Sequence, residues 1–293
     1  MTEQEEFACR WWVGARASLV ITATCLLFST FSGTLCAATL RVMPLGDSIT
    51  AGYTDNPSWN VPFEFGYRSG LYTRLTNAGY DFQFVGGSAE PFNNAYGDPT
   101  HGDTVTPTLD LRPLGQDGHR GYGAVWIGGI ESNVAGWIAA DDPDVILLLI
   151  GINGISAGSP GQLNSLVATI FTAKPGVDLI VAQITPYGGF NQNLFDYNTY
   201  IRDTLVPTHA GNGSNITTVD LYTMFLTDPL DETSIDASRL ANGLNHPSNA
   251  LYDQMAASWF ADIEAVGIPE PSTITLSTLG LMSLGMIRRR RRR

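Results

Sequence analysis

Four residues of types that perform acyl chemistry lie where a backbone turn would expose them. Ser48 sits in Gly46-Asp47-Ser48-Ile49-Thr50, directly after an apolar run at 40–45. A serine at a strand-to-helix turn projects its hydroxyl above the sheet edge, and its own N–H can face the same point. A lone Gly-Asp-Ser would equally serve as a helix N-cap, so the other three groups decide the reading. Gly121 closes Gly118-His119-Arg120-Gly121, where a glycine lets a backbone N–H approach a ligand with no side chain in the way. Asn153, in Gly151-Ile152-Asn153, follows a wholly apolar run and offers an amide donor. Of the four histidines, His101, His119, His209 and His246, only the last opens a C-terminal amphipathic pattern, at His246-Pro247. In this order the set fits a serine nucleophile (Ser48), its base (His246) and oxyanion donors (the N–H groups of Ser48 and Gly121, and the Asn153 amide) for attack on a carbonyl.

The elements that must position these groups follow from apolar periodicity. Strand-length runs occur at 40–45, 82–85, 145–150, 179–184 and 216–221, and the third is apolar throughout, as in a parallel strand buried on both faces. Helical stripes lie between them: Tyr67, Leu71 and Leu75; Leu163, Leu166, Val167 and Ile170; Leu194, Tyr197, Ile201 and Leu205. A last helix starting near His246 turns Leu251, Met255, Trp259 and Ile263 inward. The alternation predicts a three-layer α/β/α fold on a mainly parallel five-stranded sheet, with binding groups at the carboxyl ends of the strands. Residues 88–121 keep neither period, and the stretch carries Asp98, His101, Asp103, Asp110, Asp117 and His119. Its ligand spacing matches no known calcium loop, so it reads as a solvated acidic loop that shapes the cleft, with calcium binding as the alternative. Tyr53, Trp59, Tyr67, Tyr122 and Trp126 are aromatics that could stack on sugar rings near such a cleft.

The ends differ in composition from the middle. Residues 17–35 are apolar and almost uncharged, Arg10 and Arg16 precede them, and Cys36-Ala37-Ala38 follows. That is the layout of a secretory signal peptide spanning 1–38. Glu3, Glu5 and Glu6 fit it poorly, which keeps an uncleaved anchor as the alternative. At the other end, 267–293, Pro269-Glu270-Pro271 leads into an apolar run at 274–287 and then six arginines at 288–293. This tail resembles the PEP-CTERM sorting signal of bacterial envelope proteins. The resemblance implies processing by an exosortase-type membrane peptidase and delivery to the cell surface or extracellular matrix, with membrane contact only through the terminal segments. An ordinary membrane anchor is the alternative.

The remaining domain, 39–266, contains none of the three cysteines and therefore no disulfide, thiol nucleophile or cysteine metal site. No histidine pair at ligand spacing appears either, so neither metal nor cofactor is expected. Residues 39–268 hold eight basic and 24 acidic side chains, a net charge of −16. Such a surface repels nucleic acid and anionic lipid, which favours a neutral partner.

Taken together, the blocks resemble the GDSL/SGNH hydrolase superfamily, whose marker residues Ser, Gly, Asn and His fall on Ser48, Gly121, Asn153 and His246. Met43-Pro44-Leu45-Gly46-Asp47-Ser48-Ile49-Thr50, Gly66-Tyr67-Arg68-Ser69 and Gly118-His119-Arg120-Gly121 are similar to stretches of carbohydrate esterase family three, the acetyl xylan esterase-like enzymes. The resemblance implies a flavodoxin-like sheet and an acylated polysaccharide as substrate. Two blocks depart from the pattern. Gly154 stands where the family has Asp after the oxyanion Asn, and Asn242 stands, with one residue inserted, where the acid of the last block would fall. A carboxylate holds the tautomer of the base and stabilises its protonated form, and its replacement by Asn in the serine protease template costs roughly 10⁴-fold. The chain is then a Ser–His dyad, borrows Asp236, or turns over slowly. A polysaccharide-binding protein on a disabled hydrolase scaffold is the competing reading.

Overall fold

The first strand, β1 (Leu40–Gly46), is buried at six of its seven positions, because a central parallel strand is covered on both faces. In the computed structural model the described residues are 39–53, 65–90, 109–241 and 244–266, all within one unit. The signal-like segment 1–38 and the tail 267–293 lie outside them. Among the described residues no helix is long and apolar enough to cross a membrane.

After β1 the chain forms α1 (Ser48–Ala51), α2 (Tyr67–Asn77), β2 (Phe82–Phe84), β3 (Arg120–Gly121), α3 (Ile127–Asp141) and β4 (Val145–Leu149). It continues through α4 (Ser159–Ala173), β5 (Asp178–Gln183), α5 (Gln192–Tyr200), a π-helical turn (Ile201–Leu205), α6 (Val206–Gly211), β6 (Ile216–Asp220) and α7 (Asn249–Ala265). The sheet order is β2-β1-β4-β5-β6 and every pairing is parallel. Right-handed crossovers put α2 on one face and α4 on the other. Helix α7 packs on α2 and α3 on α4. This is the flavodoxin-like winding, and its topological switch point lies between β1 and β4.

All five expected strands form, but the sheet has six. The additional strand is β3, which pairs with β1 at Leu45↔Arg120 and Gly46↔Gly121, while β2 pairs with the same edge of β1 at 40–42. β3 thus prolongs the line of β2 after the chain has left it. Two residues carry no period, and tertiary pairing alone makes them a strand. Arg120 fixes it from outside: Nε and Nη2 donate to the Asp141 carboxylate at 2.6 and 3.0 Å, and the guanidinium lies 5.4 Å from the Trp137 ring centre. Helix α3 was also not anticipated, although Ile127, Ile130, Val134 and Ile138 form a buried stripe along it.

Candidate active site

The switch point gathers the chemistry. A Cβ on Gly46 would stand 1.9 Å from the Leu149 carbonyl oxygen, so only glycine lets the end of β1 approach β4 this closely. Asp47 then caps α1, its Oδ1 accepting from the Ile49 N–H at 3.0 Å, which places Ser48 at the first helical position. The Ser48 N–H, in the first turn, has no intrahelical acceptor and is left as a donor. His246 arrives from the other end of the chain. An antiparallel bridge between Leu240 and Pro247 and a bond from the Ala241 N–H to the His246 carbonyl (2.7 Å) fix its backbone just ahead of α7. The result is a Ser48 Oγ to His246 Nε2 distance of 2.8 Å between residues only 5% and 3% exposed. The Tyr53 ring stacks on the imidazole at 6.1 Å and is anchored in turn by its hydroxyl, which donates to Glu90 at 2.8 Å.

Asn153 stands at the carboxyl end of β4, its Nδ2 donating to the Val125 carbonyl at 2.9 Å. That bond orients the amide and leaves its second hydrogen for a ligand. Gly121 behaves otherwise than expected. Its N–H donates to Nδ1 of His119 at 3.0 Å, and Nε2 of His119 meets the Glu90 carbonyl at 2.8 Å. With Nδ1 accepting, Nε2 carries the proton, so His119 is neutral. Burial, reinforced by the Arg68 charge, holds its pKa well below the usual imidazole value. The ring clamps the loop to β3 and occupies the N–H assigned to the oxyanion. What requires glycine at 121 is packing, since a Cβ there would come within 2.4 Å of the Ala51 nitrogen in α1.

Two residues are candidates for the acid beside His246. Asn242 lies outside the described residues. Asp236, the candidate substitute, turns its carboxylate to the Ser238 N–H and hydroxyl and to Arg239 at 3.2 Å, and makes no bond to His246. Hydrogen bonds from Ser238 lower its pKa, so it is a turn cap. Gly154 has a φ of +73° and open space beyond it. Asp98, His101, Asp103 and Trp59 also fall outside the described residues, whereas Asp110 grips Arg112. Among the described residues no group of three or more His, Cys, Asp or Glu side chains is placed to hold a metal. Of the remaining aromatics, Tyr67 is core against Trp259 and Tyr122 stacks on Trp137. Trp126 is 56% exposed, next in sequence to Val125, the Asn153 anchor.

Arg68 is the supporting residue that the motif reading left without a role. Fully buried, it donates to the carbonyls of Thr50, Ala51 and Asp117 at 3.2, 3.0 and 2.9 Å. It therefore ties the C-terminal end of the helix that carries Ser48 to the segment that becomes β3.

Burial shifts Asp47 as well. Loss of water raises its carboxyl from 3.8 to about 7, against the lowering effects of the Ile49 N–H and the His246 charge. The folded chain then keeps a proton that the unfolded chain releases near pH 4, so stability falls as pH rises from about 4 through about 7. Asp47→Asn keeps the cap acceptor and cannot ionise. Its stability relative to the parent is expected to grow over that pH range, by at most about 4 kcal/mol. Melting curves of both proteins at pH 5 and pH 9 check this, and a difference independent of pH would refute it.

Comparison with known proteins agrees with the geometry. No family model matches the chain. A multidomain esterase of Ruminococcus flavefaciens is 28% identical over 279 residues, 86% of this chain, and the chain spans 32% of that relative's length. A family 3 carbohydrate esterase of Clostridium thermocellum superposes with a TM-score of 0.58 at 28% identity, over 78% of this chain and 97% of that one. A carbohydrate esterase family 3 structure from Talaromyces cellulolyticus, 20% identical with a TM-score of 0.57 over 78% and 98% of the two chains, shares the fold. The Ser48–His246 pair thus stands at the switch point of a flavodoxin-like sheet, and the chain is similar in fold to carbohydrate esterases of family 3.

Proposed function

We propose that the protein is an exported serine esterase that removes O-acyl groups, acetyl groups foremost, from a polysaccharide at the bacterial surface or in the extracellular matrix. The observation that carries this reading is the 2.8 Å contact between Ser48 Oγ and His246 Nε2 at the switch point. His246 Nε2 takes the hydroxyl proton as Ser48 Oγ bonds to the ester carbonyl carbon. The carbonyl oxygen becomes an oxyanion, received by the Ser48 N–H and the free hydrogen of the Asn153 amide. The Gly121 N–H would join them only by leaving His119, so the hole is assigned to Ser48 and Asn153. The C–O bond to the sugar breaks as the sugar oxygen takes the proton from Nε2. Water then gives a proton to Nε2 and attacks the acyl-serine; the acid leaves and Ser48 recovers its proton. Asn242 is assigned the orienting position on the imidazole, where an amide can hold the ring but not neutralise its charge.

The family 3 carbohydrate esterase of similar fold supports the substrate class, as does an acidic surface that disfavours nucleic acid. Trp126, exposed beside the Asn153 anchor, offers a ring for a sugar. Export rests on the segment 1–38, and surface delivery on the tail 267–293 acting through an exosortase-type peptidase. The test is acetate release from acetylated xylan by the purified chain, with Ser48→Ala as control. Release in the parent alone is expected. Binding of the polysaccharide with no acetate freed would instead establish the alternative, a binding protein on this scaffold.

A further inference from the structure

A second cleft opens on the same carboxyl edge of the sheet, away from Ser48. It encloses about 110 Å³ between the ends of β5 and β6, beneath α5 and the π-helical turn, and the last residue of each strand, Gln183 and Asp220, lines it. That is room for several water molecules.

Gln183 is the informative residue. The residue is 7% exposed and lines the cleft, and its amide makes no hydrogen bond among the described residues. Its neighbour Asn198 shows what a satisfied buried amide looks like here, accepting from the Ile184 N–H at 2.7 Å and donating to the Ile184 carbonyl at 2.9 Å. An amide with no protein partner that reaches into a cleft can both donate to and accept from a ligand there. The rim has a matching composition. The π-helical turn, a distortion that recurs at functional sites, carries Arg202, which pairs with Asp203 at 2.8 Å and lies 3.9 Å from Glu232. Phe195 and Tyr222 supply ring faces.

Charge decides the class of ligand. Arg202 is already balanced by Asp203 and Glu232, and Asp220 adds a further negative charge, so an anion is disfavoured. A metal ion is disfavoured too, because the Asp220 carboxylate is already engaged by the N–H groups of Tyr222 and Thr223 at 2.8 and 3.0 Å. A neutral polyol suits the site: its hydroxyls can pair with the Gln183 amide and the Glu232 carboxylate while its ring packs on an aromatic face. The end of β5 lies two strands from that of β1, roughly 10 Å along the edge, close enough for one polysaccharide chain to reach both.

We propose that this cleft is a second carbohydrate subsite, which holds an unacylated sugar of the chain whose ester lies at Ser48. The inference rests on the polysaccharide esterase reading and assigns Gln183 a role in polymer binding, not in the chemistry.

The test uses the full chain carrying Ser48→Ala, titrated calorimetrically with xylohexaose, so that binding is measured without turnover. Adding Gln183→Leu is expected to weaken binding about tenfold or more, the effect of losing hydrogen bonds worth about 1.4 kcal/mol. In the Ser48 parent, Gln183→Leu should raise KM for acetylated xylan while leaving p-nitrophenyl acetate hydrolysis unchanged. Should that variant fail to fold, Glu232→Gln on the rim provides the same comparison. Unaltered xylohexaose affinity in a folded variant overturns the subsite. Equal losses on the polymer and on p-nitrophenyl acetate overturn it too, since they indicate structural damage. If xylohexaose binding depends on Gln183 but no ester is cleaved, the subsite stands and the esterase reading falls.

Discussion

Ser48→Ala is expected to lower the turnover of p-nitrophenyl acetate by roughly 10⁵-fold or more, and the Ser48→Ala, His246→Ala double variant to be no slower than either single one. The reason is the 2.8 Å contact between Oγ and Nε2. Every step of the imidazole, taking the serine proton, passing it to the leaving oxygen and activating water on the acyl-serine, needs Ser48, so once either partner is gone the other has little to do, and losses that would multiply for independent groups collapse into one. A residue of catalysis over water should persist in all three variants, on the order of 10³-fold, because the Ser48 N–H, which the alanine retains, and the Asn153 amide still receive an oxyanion. Single-turnover measurements on the three proteins decide the matter. A double variant far below both singles would mean that His246 contributes by a route other than Ser48, and the pair would have to be abandoned as a unit.

The sequence made this pair legible because Ser48 and His246 each stand at a boundary that apolar periodicity can locate, the end of β1 and the start of α7. The strands were legible for the same reason: 145–150 is apolar throughout, and no other short element of a soluble domain needs that. What escaped has a common cause. Helix α3 contains Gly128, Gly129 and Gly136, which dilute a genuine buried stripe with residues that ordinarily weaken a helix. Strand β3 exists only because Arg120 and Gly121 meet β1, and the Gly121 N–H goes to His119 only because a buried neutral ring needs a donor. Neither fact is local. The Gly-His-Arg-Gly block thus marked the right place in the fold, while the work of its residues turned out to be distributed: His119 clamps, Arg120 anchors to α3, and Gly121 permits contact with α1.

Arg68 belongs to the same non-local class, and its removal should be the most damaging change outside the catalytic pair. Replacing a buried charge with an apolar side chain is often neutral when its charged partner is replaced with it. Arg68→Met does not meet that condition. The carbonyls of Thr50, Ala51 and Asp117 stay where they are, and the first two are at the end of α1, where no helical N–H follows to satisfy them. Methionine fills most of the volume and donates nothing. Leaving buried acceptors without donors costs about 1–3 kcal/mol each, and after partial relaxation a total of roughly 3–5 kcal/mol is expected, a large part of the stability of a domain this size. The melting temperature should fall by about 10 °C. Because the carbonyls belong to the helix that carries Ser48, kcat should fall with KM little changed, even at temperatures where the variant is fully folded. Arg68→Lys should recover only part of either quantity, since one ammonium cannot reproduce a planar fork reaching three acceptors. A variant that melts within a degree of the parent would show that the α1 carbonyls have other donors, and the buried guanidinium would then lose its role in holding the nucleophile.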